Sequence, residues 1–289
     1  MNYLWHILIM INIYAILAAS LNLVMGYTGL LSLCHAAFYG LGAYITTLFM
    51  MDLGWGFLPS LLIAMPLTAL LSMVISIPSL RLRGDYYILA TLGFQVIIFS
   101  VLYNWISLTR GPYGIPGIPI PDIFGFRADS VFRYFLLSCA FAAMCLFFLL
   151  IAVKSRYGLI LRAVREDEIA AASLRINVPR VKVVSFAIGA ALAAVSGALM
   201  AGYVRYIDPT SFTLNEAIFI VSIVVIGGAG SFWGPVLGAA LMVVLPDALR
   251  FLQMPDPIAA NMRQIIYGAL LILLMRFRPY GLLGEYGFD

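Results

Sequence analysis

Charge is what this chain has least of. Only 10% of its 289 residues are Asp, Glu, Lys or Arg, against about 25% in an ordinary soluble domain. Hydrophobic residues make up 63%. A soluble globule of this length cannot hide so much apolar surface, so the solvent for most of the chain is lipid and the class is a polytopic membrane protein. Lysine is nearly missing. Lys154 and Lys182 both follow valine, so no Gly-x-x-x-x-Gly-Lys-Ser/Thr loop exists and the chain cannot cradle ATP in a P-loop of its own. Gly40-Leu41-Gly42 lies within a helical run and follows no strand, which removes a dinucleotide fingerprint. No soluble basic domain is present, which excludes nucleic acid as a partner.

Catalytic and metal-binding patterns are also missing. His6 and His35 stand far apart, and Cys34, Cys139 and Cys145 all sit inside apolar runs without metal spacing. The cysteines are expected as small hydrophobes of the core. There is no H-E-x-x-H, no nucleophile elbow and no pair of intramembrane carboxylates, so neither an enzyme nor a resident cofactor is expected on this chain. Asp52 and Glu216 fall at the ends of apolar runs, where they are expected to be solvated. Ion-driven carriers bury ionisable groups mid-span, and this chain shows hardly any. Active transport by such a chain takes its energy from another subunit.

What the chain does have is length of apolar run. A spanning helix needs about 20 apolar residues. Candidates cover 4–25, 36–51, 57–80, 86–105, 131–153, 183–203, 216–226, 232–249 and 263–275, of which 36–51 and 216–226 are short. The first run has no basic residue before it and reads as a span, not as a cleaved signal. Basic residues gather at Arg81 and Arg83, between Lys154 and Lys182, and at Arg276 and Arg278. Basic flanks face the cytoplasm. Placing all three groups there needs an even number of crossings between them, and the candidate spans supply two and then four. The first residue then lies outside if 36–51 crosses. The expected fold class is an all-α polytopic transmembrane helical bundle of about 8–10 spans, a single domain over 1–289. The outer segment 104–130 holds Pro112, Pro116, Pro119 and Pro121. It is stiff, and suits a lid or a docking loop.

Two places break the helical pattern. Gly26-Tyr27-Thr28-Gly29 follows Asn22 and precedes Ser32 and His35; Gly227-Gly228-Ala229-Gly230-Ser231 precedes Gly234-Pro235. Short, glycine-interrupted segments in matching halves point to an internal repeat around a central transport site. Asn22, Ser32 and His35 are the densest polar group in the apolar runs and, with Gln95, are expected to line the path. Ser20, Thr46, Thr47 and Ser222 are the remaining polar groups, and each otherwise bonds a neighbouring helix. The run 183–203 carries Gly189, Ala193, Gly197 and Ala201 at spacing four, with Ala190, Ala194, Ala198 and Gly202 one residue on; such stripes let helices approach closely in lipid.

Between Lys154 and Lys182 the chain gathers seven of its seventeen basic residues. The part from Arg162 to Asn177 is too polar to span. Asp167 is placed to cap a helix over Glu168–Arg175, with charges that suit the helix dipole, and Pro179 is expected to stop it. Ile169, Ala172 and Leu174 offer a small apolar surface, while Ala170, Ala171 and Ser173 add little bulk. Such a helix either enters a groove on another protein or lies on anionic lipid, held by Arg162, Arg165, Arg175 and Arg180.

A resemblance separates these alternatives. Arg165-Glu166-Asp167-Glu168-Ile169-Ala170-Ala171-Ala172-Ser173-Leu174-x-Ile176-Asn177 resembles the cytoplasmic coupling segment of ABC importer permeases, in particular of the branched-chain amino acid (LIV-type, LivM-like) permease family. The stretches Leu21 to Tyr44, Arg81-Leu82-Arg83-Gly84-Asp85-Tyr86 with Thr91-Leu92-Gly93-Phe94, and Gly227 to Ala239 resemble further signatures of that family in the same order. The chain departs from it at Arg175 and Arg110, where the family usually has glycine.

The resemblance implies a permease subunit moving branched-chain or related amino acids across a bacterial inner membrane by alternating access. A permease for urea or short-chain amides, and a channel or carrier independent of ATP, are the alternatives. The implied partners are a homologous second permease, two ABC ATPase subunits that carry the ATP and magnesium, and a periplasmic binding protein. Arg165, Glu166, Asp167, Glu168, Ala170, Ala171 and Arg175 would meet the ATPase. Asn22, Gly26, Gly29, Ser32, His35, Gln95, Gly227, Gly228 and Gly230 would form the path, with a half-helix N-terminus near Gly29 facing the substrate carboxylate.

Overall fold

A computed structural model describes residues 2–79, 82, 84–123, 125–250, 268–269, 276 and 281–284. The expected span at 263–275 and the basic groups at Arg81, Arg83 and Arg278 lie outside the described residues. The rest is a helical bundle, and five described helices are long and apolar enough to cross a bilayer. These are α1 (Asn2–Met25), α3 (Phe57–Ser79), α4 (Asp85–Asn104), α6 (Val131–Lys154) and α9 (Val178–Val204). Helix is the outcome that satisfies every backbone amide internally where no water is available. Shorter apolar helices fill the gaps: α2 (His35–Asp52), α10 (Leu214–Gly227) and α11 (Gly234–Arg250). The runs that looked short in the sequence are indeed the short helices, each set next to a glycine break.

Helix α9 is the axis of the bundle. Its apolar window is 72% buried and that of α1 is 67%, against 22% for α4. It packs on α1, α2 and α3. The small-residue stripe explains how. A methyl group added at Gly197 would sit 2.0 Å from the Tyr39 carbonyl oxygen, and one at Gly42 would sit 2.2 Å from the Ala194 Cα. These backbones touch, so the stripe serves packing within this chain. Tyr39 and Tyr44 of α2 then close edge-on upon Phe212.

At one end of the bundle lie α5 (Ile106–Thr109), a 3-10 turn at Gly111–Tyr113, and a small pairing of β1 (Ile115–Pro116) with β4 (Tyr206–Ile207). The hairpin β2 (Asp122–Ile123) and β3 (Phe126–Arg127) follows. The proline-rich segment is therefore fastened to the end of α9. Arg205 Nε donates to the Ile118 carbonyl at 3.1 Å, and the Gly117 N–H donates to the Arg205 carbonyl at 3.1 Å. At the opposite end, Ser155 opens α7 (Arg156–Glu166), Asp167 opens α8 (Glu168–Ser173) and Asn177 opens α9, each by accepting first-turn N–H groups.

Four details correct the sequence analysis. Cys139 is exposed on the outside of α6, unlike the buried Cys34 and Cys145; a cysteine inside an apolar run faces lipid as readily as core. Pro179 does not stop α8. That helix ends at Ser173, Arg175 turns the chain with φ +62°, and Pro179 sits in the first turn of α9. There its missing N–H costs nothing. Ala171 points inward, into a small cluster with Val164 and Val178, and so anchors α8 instead of facing a partner. Glu216 is not simply solvated: it is half-buried in the first turn of α10 and accepts a hydrogen bond from the Tyr14 hydroxyl at 2.8 Å.

Candidate translocation path and coupling segment

The two glycine breaks meet. Asn22, buried near the end of α1, uses its whole amide to join them. Its Oδ1 accepts from the Gly230 N–H at 3.0 Å and its Nδ2 donates to the Ser231 carbonyl at 2.8 Å. Gly26 lies against the same contact: a Cβ there would stand 2.1 Å from Asn22 Oδ1 and 2.3 Å from the Gly230 nitrogen. Gly29 follows with φ +72°. On the other break, a methyl at Gly227 would reach the Gly234 carbonyl oxygen at 2.0 Å, and Gly228 and Gly230 have φ of +108° and +79°. The last carbonyls of α10, at Ile226 and Gly227, accept from the N–H groups of Leu282 and Leu283 at 2.9 and 3.0 Å. A helix broken in the apolar layer needs such partners for its orphaned carbonyls.

Arg165 connects this node to the charged end of the bundle. Its Nη1 donates to the Gly26 carbonyl at 2.8 Å, and its Nη2 pairs with Glu166 at 2.6 Å. A Cβ on Gly29 would meet the Arg165 Cγ at 3.1 Å. The Arg165 side chain is 10% exposed. One turn back, the Arg162 guanidinium stands over the Tyr27 ring at 5.8 Å, the geometry of a cation–π contact. The segment α7–α8 thus grips the turn after α1 at Gly26, Tyr27 and Gly29.

Beyond Arg165, α8 is a short peg. Asp167 Oδ1 accepts from the Ile169 and Ala170 N–H groups at 2.8 and 3.0 Å. Glu168 pairs with the largely covered ammonium of Lys182 at the foot of α9. Ile169 and Leu174 are 75% and 76% exposed, and Ala170, Ala172 and Arg175 are exposed beside them. Tyr157 pins α7 to α9: its hydroxyl lies 2.9 Å from Ser185 Oγ, and burial holds the phenol above its usual range, hence neutral. Large apolar side chains are thus exposed on this short, capped helix and at its end.

The remaining polar candidates divide. Gln95 spends both ends of its amide, accepting from the Ala37 N–H at 2.7 Å and donating to the Phe212 carbonyl at 2.8 Å. It straps the start of α2 to the segment entering α10. Ser32 lies 3.3 Å from the Cys34 sulfur, and His35 Nε2 lies 2.8 Å from Ser20 Oγ. The other ring nitrogen of His35, with the hydroxyls of Tyr39, Tyr44, Thr46 and Thr47, has no partner among the described residues although all are buried. Buried polar atoms left unpaired are costly, and this set runs the length of α2. Asn22 and Gln95 thus join backbone segments of different elements, whereas His35 Nδ1 and these α2 hydroxyls are unpaired among the described residues. No group of three or more potential metal ligands occurs among the described residues.

Comparison with known proteins places this architecture. Residues 3–275 match the family described as the permease component of the branched-chain amino acid transport system. The chain is 35% identical to the high-affinity branched-chain amino acid transport permease LivM of Salmonella typhimurium, over 95% of this chain and 68% of that protein. It is 28% identical to the corresponding LivH permease of Escherichia coli, over 94% of this chain and 91% of that one. A probable LivM of Methanocaldococcus jannaschii is 26% identical, over 96% and 92%. No solved structure matches the chain. With its glycine-broken helix pairs, its capped peg and a match over nearly all its length, the chain belongs to the branched-chain amino acid transport permease family.

Proposed function

We propose that this chain is one permease subunit of an ATP-driven importer for branched-chain amino acids, a single transmembrane domain over 1–289 in the bacterial inner membrane. The observation that carries the reading is the contact of Arg165 with Gly26 and Gly29, which ties an exposed peg to a break in two membrane helices. The peg, α8 with its exposed Ile169 and Leu174, enters a cleft on an ATPase subunit. Seven basic residues between Lys154 and Lys182 keep that end on the cytoplasmic side.

Closure of two ATPases moves α7–α8, and the movement reaches the paired breaks at Gly26 and Gly230 through Arg165. A second, homologous permease supplies the other wall of the path, and a periplasmic binding protein delivers substrate over the fastened 104–130 segment. ATP and magnesium are held by the ATPase subunits, with no cofactor on this chain. The test is reconstitution of the chain with its candidate partners in proteoliposomes. Uptake of leucine, isoleucine or valine that needs internal ATP and the binding protein supports the reading. Uptake by the chain alone, or none of these substrates moved by the full complex, overturns it.

A further inference from the structure

Among the described residues of the membrane helices, away from the charged ends, Glu216 is the carboxylate set into the bundle. It sits in the first turn of α10, a 14-residue half-helix. One carboxylate oxygen accepts the Tyr14 hydroxyl at 2.8 Å, and no described residue bonds the other. Tyr14 is itself held edge-on by the Phe219 ring at 5.2 Å. No lysine or arginine pairs with Glu216 among the described ion pairs. The residue is half-buried in this chain alone. A carboxylate at such depth is expensive unless a cation meets it.

We propose that Glu216, oriented by Tyr14, is the subsite that receives a cationic group of the transported molecule, the α-ammonium of an amino acid. This deepens the permease reading and rests on it. An aliphatic amino acid crossing an apolar path has an ammonium to satisfy, and a carboxylate with one oxygen tethered and one unbonded is the matching acceptor. A charge-assisted hydrogen bond of this kind is about twice as strong as a neutral one. Tyr14 fixes the rotamer and leaves the second oxygen for the ligand, so the pair discriminates against carboxylic acids that lack the amine. The buried Tyr39 hydroxyl of α2, which packs its ring on Phe212 just before α10, has no partner among the described residues and adds a polar group on the neighbouring helix.

The test uses the full importer in proteoliposomes with wild-type chain, Glu216→Gln, Glu216→Asp and Tyr14→Phe, and labelled leucine as the probe. Glutamine keeps an oxygen that accepts from Tyr14, so it preserves the fold and removes only the charge. Assembly of the complex and its substrate-free ATP hydrolysis report folding. The expected result is a fall in leucine uptake of about ten- to a hundredfold for Glu216→Gln, the span for loss of a hydrogen bond to a charged group. Glu216→Asp recovers part of it, and both variants assemble normally. Uptake by Glu216→Gln within about twofold of wild type overturns the subsite while leaving the permease reading intact. Loss of assembly in both Glu216→Gln and Glu216→Asp also overturns it, because the residue is then structural. If the wild-type complex moves no aliphatic amino acid, the permease reading falls and the subsite with it.

Discussion

Replacing Gly26 by alanine puts one methyl group between two partners of a single hydrogen bond. The new carbon lies 2.1 Å from Asn22 Oδ1 and 2.3 Å from the Gly230 nitrogen, groups now 3.0 Å apart. Neither is the loose end of a flexible side chain: one is backbone, and the other is an amide whose Nδ2 is also engaged with Ser231. The chain must part the two breaks. Overpacking of this kind costs about 1–3 kcal/mol, and a buried N–H left without its acceptor costs about 1–3 kcal/mol more. The total, about 2–6 kcal/mol, predicts a fall of about 3 °C or more in the melting temperature of the purified chain. Leucine uptake falls more steeply than assembly, because the parted node is the one Arg165 holds. The control is the double variant. In an Asn22→Ala background the clash with Oδ1 is gone, so Gly26→Ala adds less than it does alone, and the difference is the coupling between the two positions. Thermal scanning and uptake on the four forms decide it. A melting temperature unchanged by Gly26→Ala, or strict additivity with Asn22→Ala, refutes a direct contact between the breaks.

Three further outcomes follow from named contacts. Arg175 holds φ +62°, a conformation that costs a side-chain-bearing residue roughly 1–2 kcal/mol and glycine almost nothing. Since glycine loses about 0.5–1 kcal/mol of chain entropy, Arg175→Gly leaves thermal stability equal or slightly raised, whereas Arg175→Val lowers it. Asp167→Ala removes the cap of α8 and costs about 0.5–2 kcal/mol; hydrogen exchange at Ala170 to Leu174 speeds up while exchange within α9 stays unchanged. Gly197→Val drives a branched side chain into the Tyr39 carbonyl, whose oxygen is 2.0 Å from a Cβ at that position; the purified chain is recovered in lower yield and melts earlier, whereas Gly93→Ala, with open space around its Cβ, does neither.

The spans were legible because lipid enforces a single pattern. Runs ending at Met25, Asn104 and Val204 differ by a residue or so from what hydropathy marks. The α8 cap was legible as well, because Asp167 followed by Glu168 and a small apolar run is a local signal. Other features depend on contacts between residues far apart in the chain. That Asn22 and Gln95 exhaust their amides on backbone groups at Gly230, Ser231, Ala37 and Phe212 is set by how α1, α4 and α10 cross, and no periodicity encodes it. A polar side chain in an apolar run reads as a path residue until its partners are seen. The pairing of Ile115 with Ile207 just past the end of α9 was hidden for the same reason, since two-residue strands carry no alternation. Arg110 and Arg175 are instructive in another way. Both take the left-handed conformation that glycine favours, a turn that their side chains give no sign of in the sequence.

The account as a whole stands on Arg165 carrying motion from the exposed peg to the paired glycine breaks. The most direct measurement is the number of leucine molecules moved per ATP hydrolysed by the reconstituted importer, wild type against Arg165→Ala. The account predicts a complex that assembles and hydrolyses ATP while its transport ratio falls about tenfold or more, as loss of a buried charge-assisted contact implies. An unchanged ratio in Arg165→Ala would contradict it.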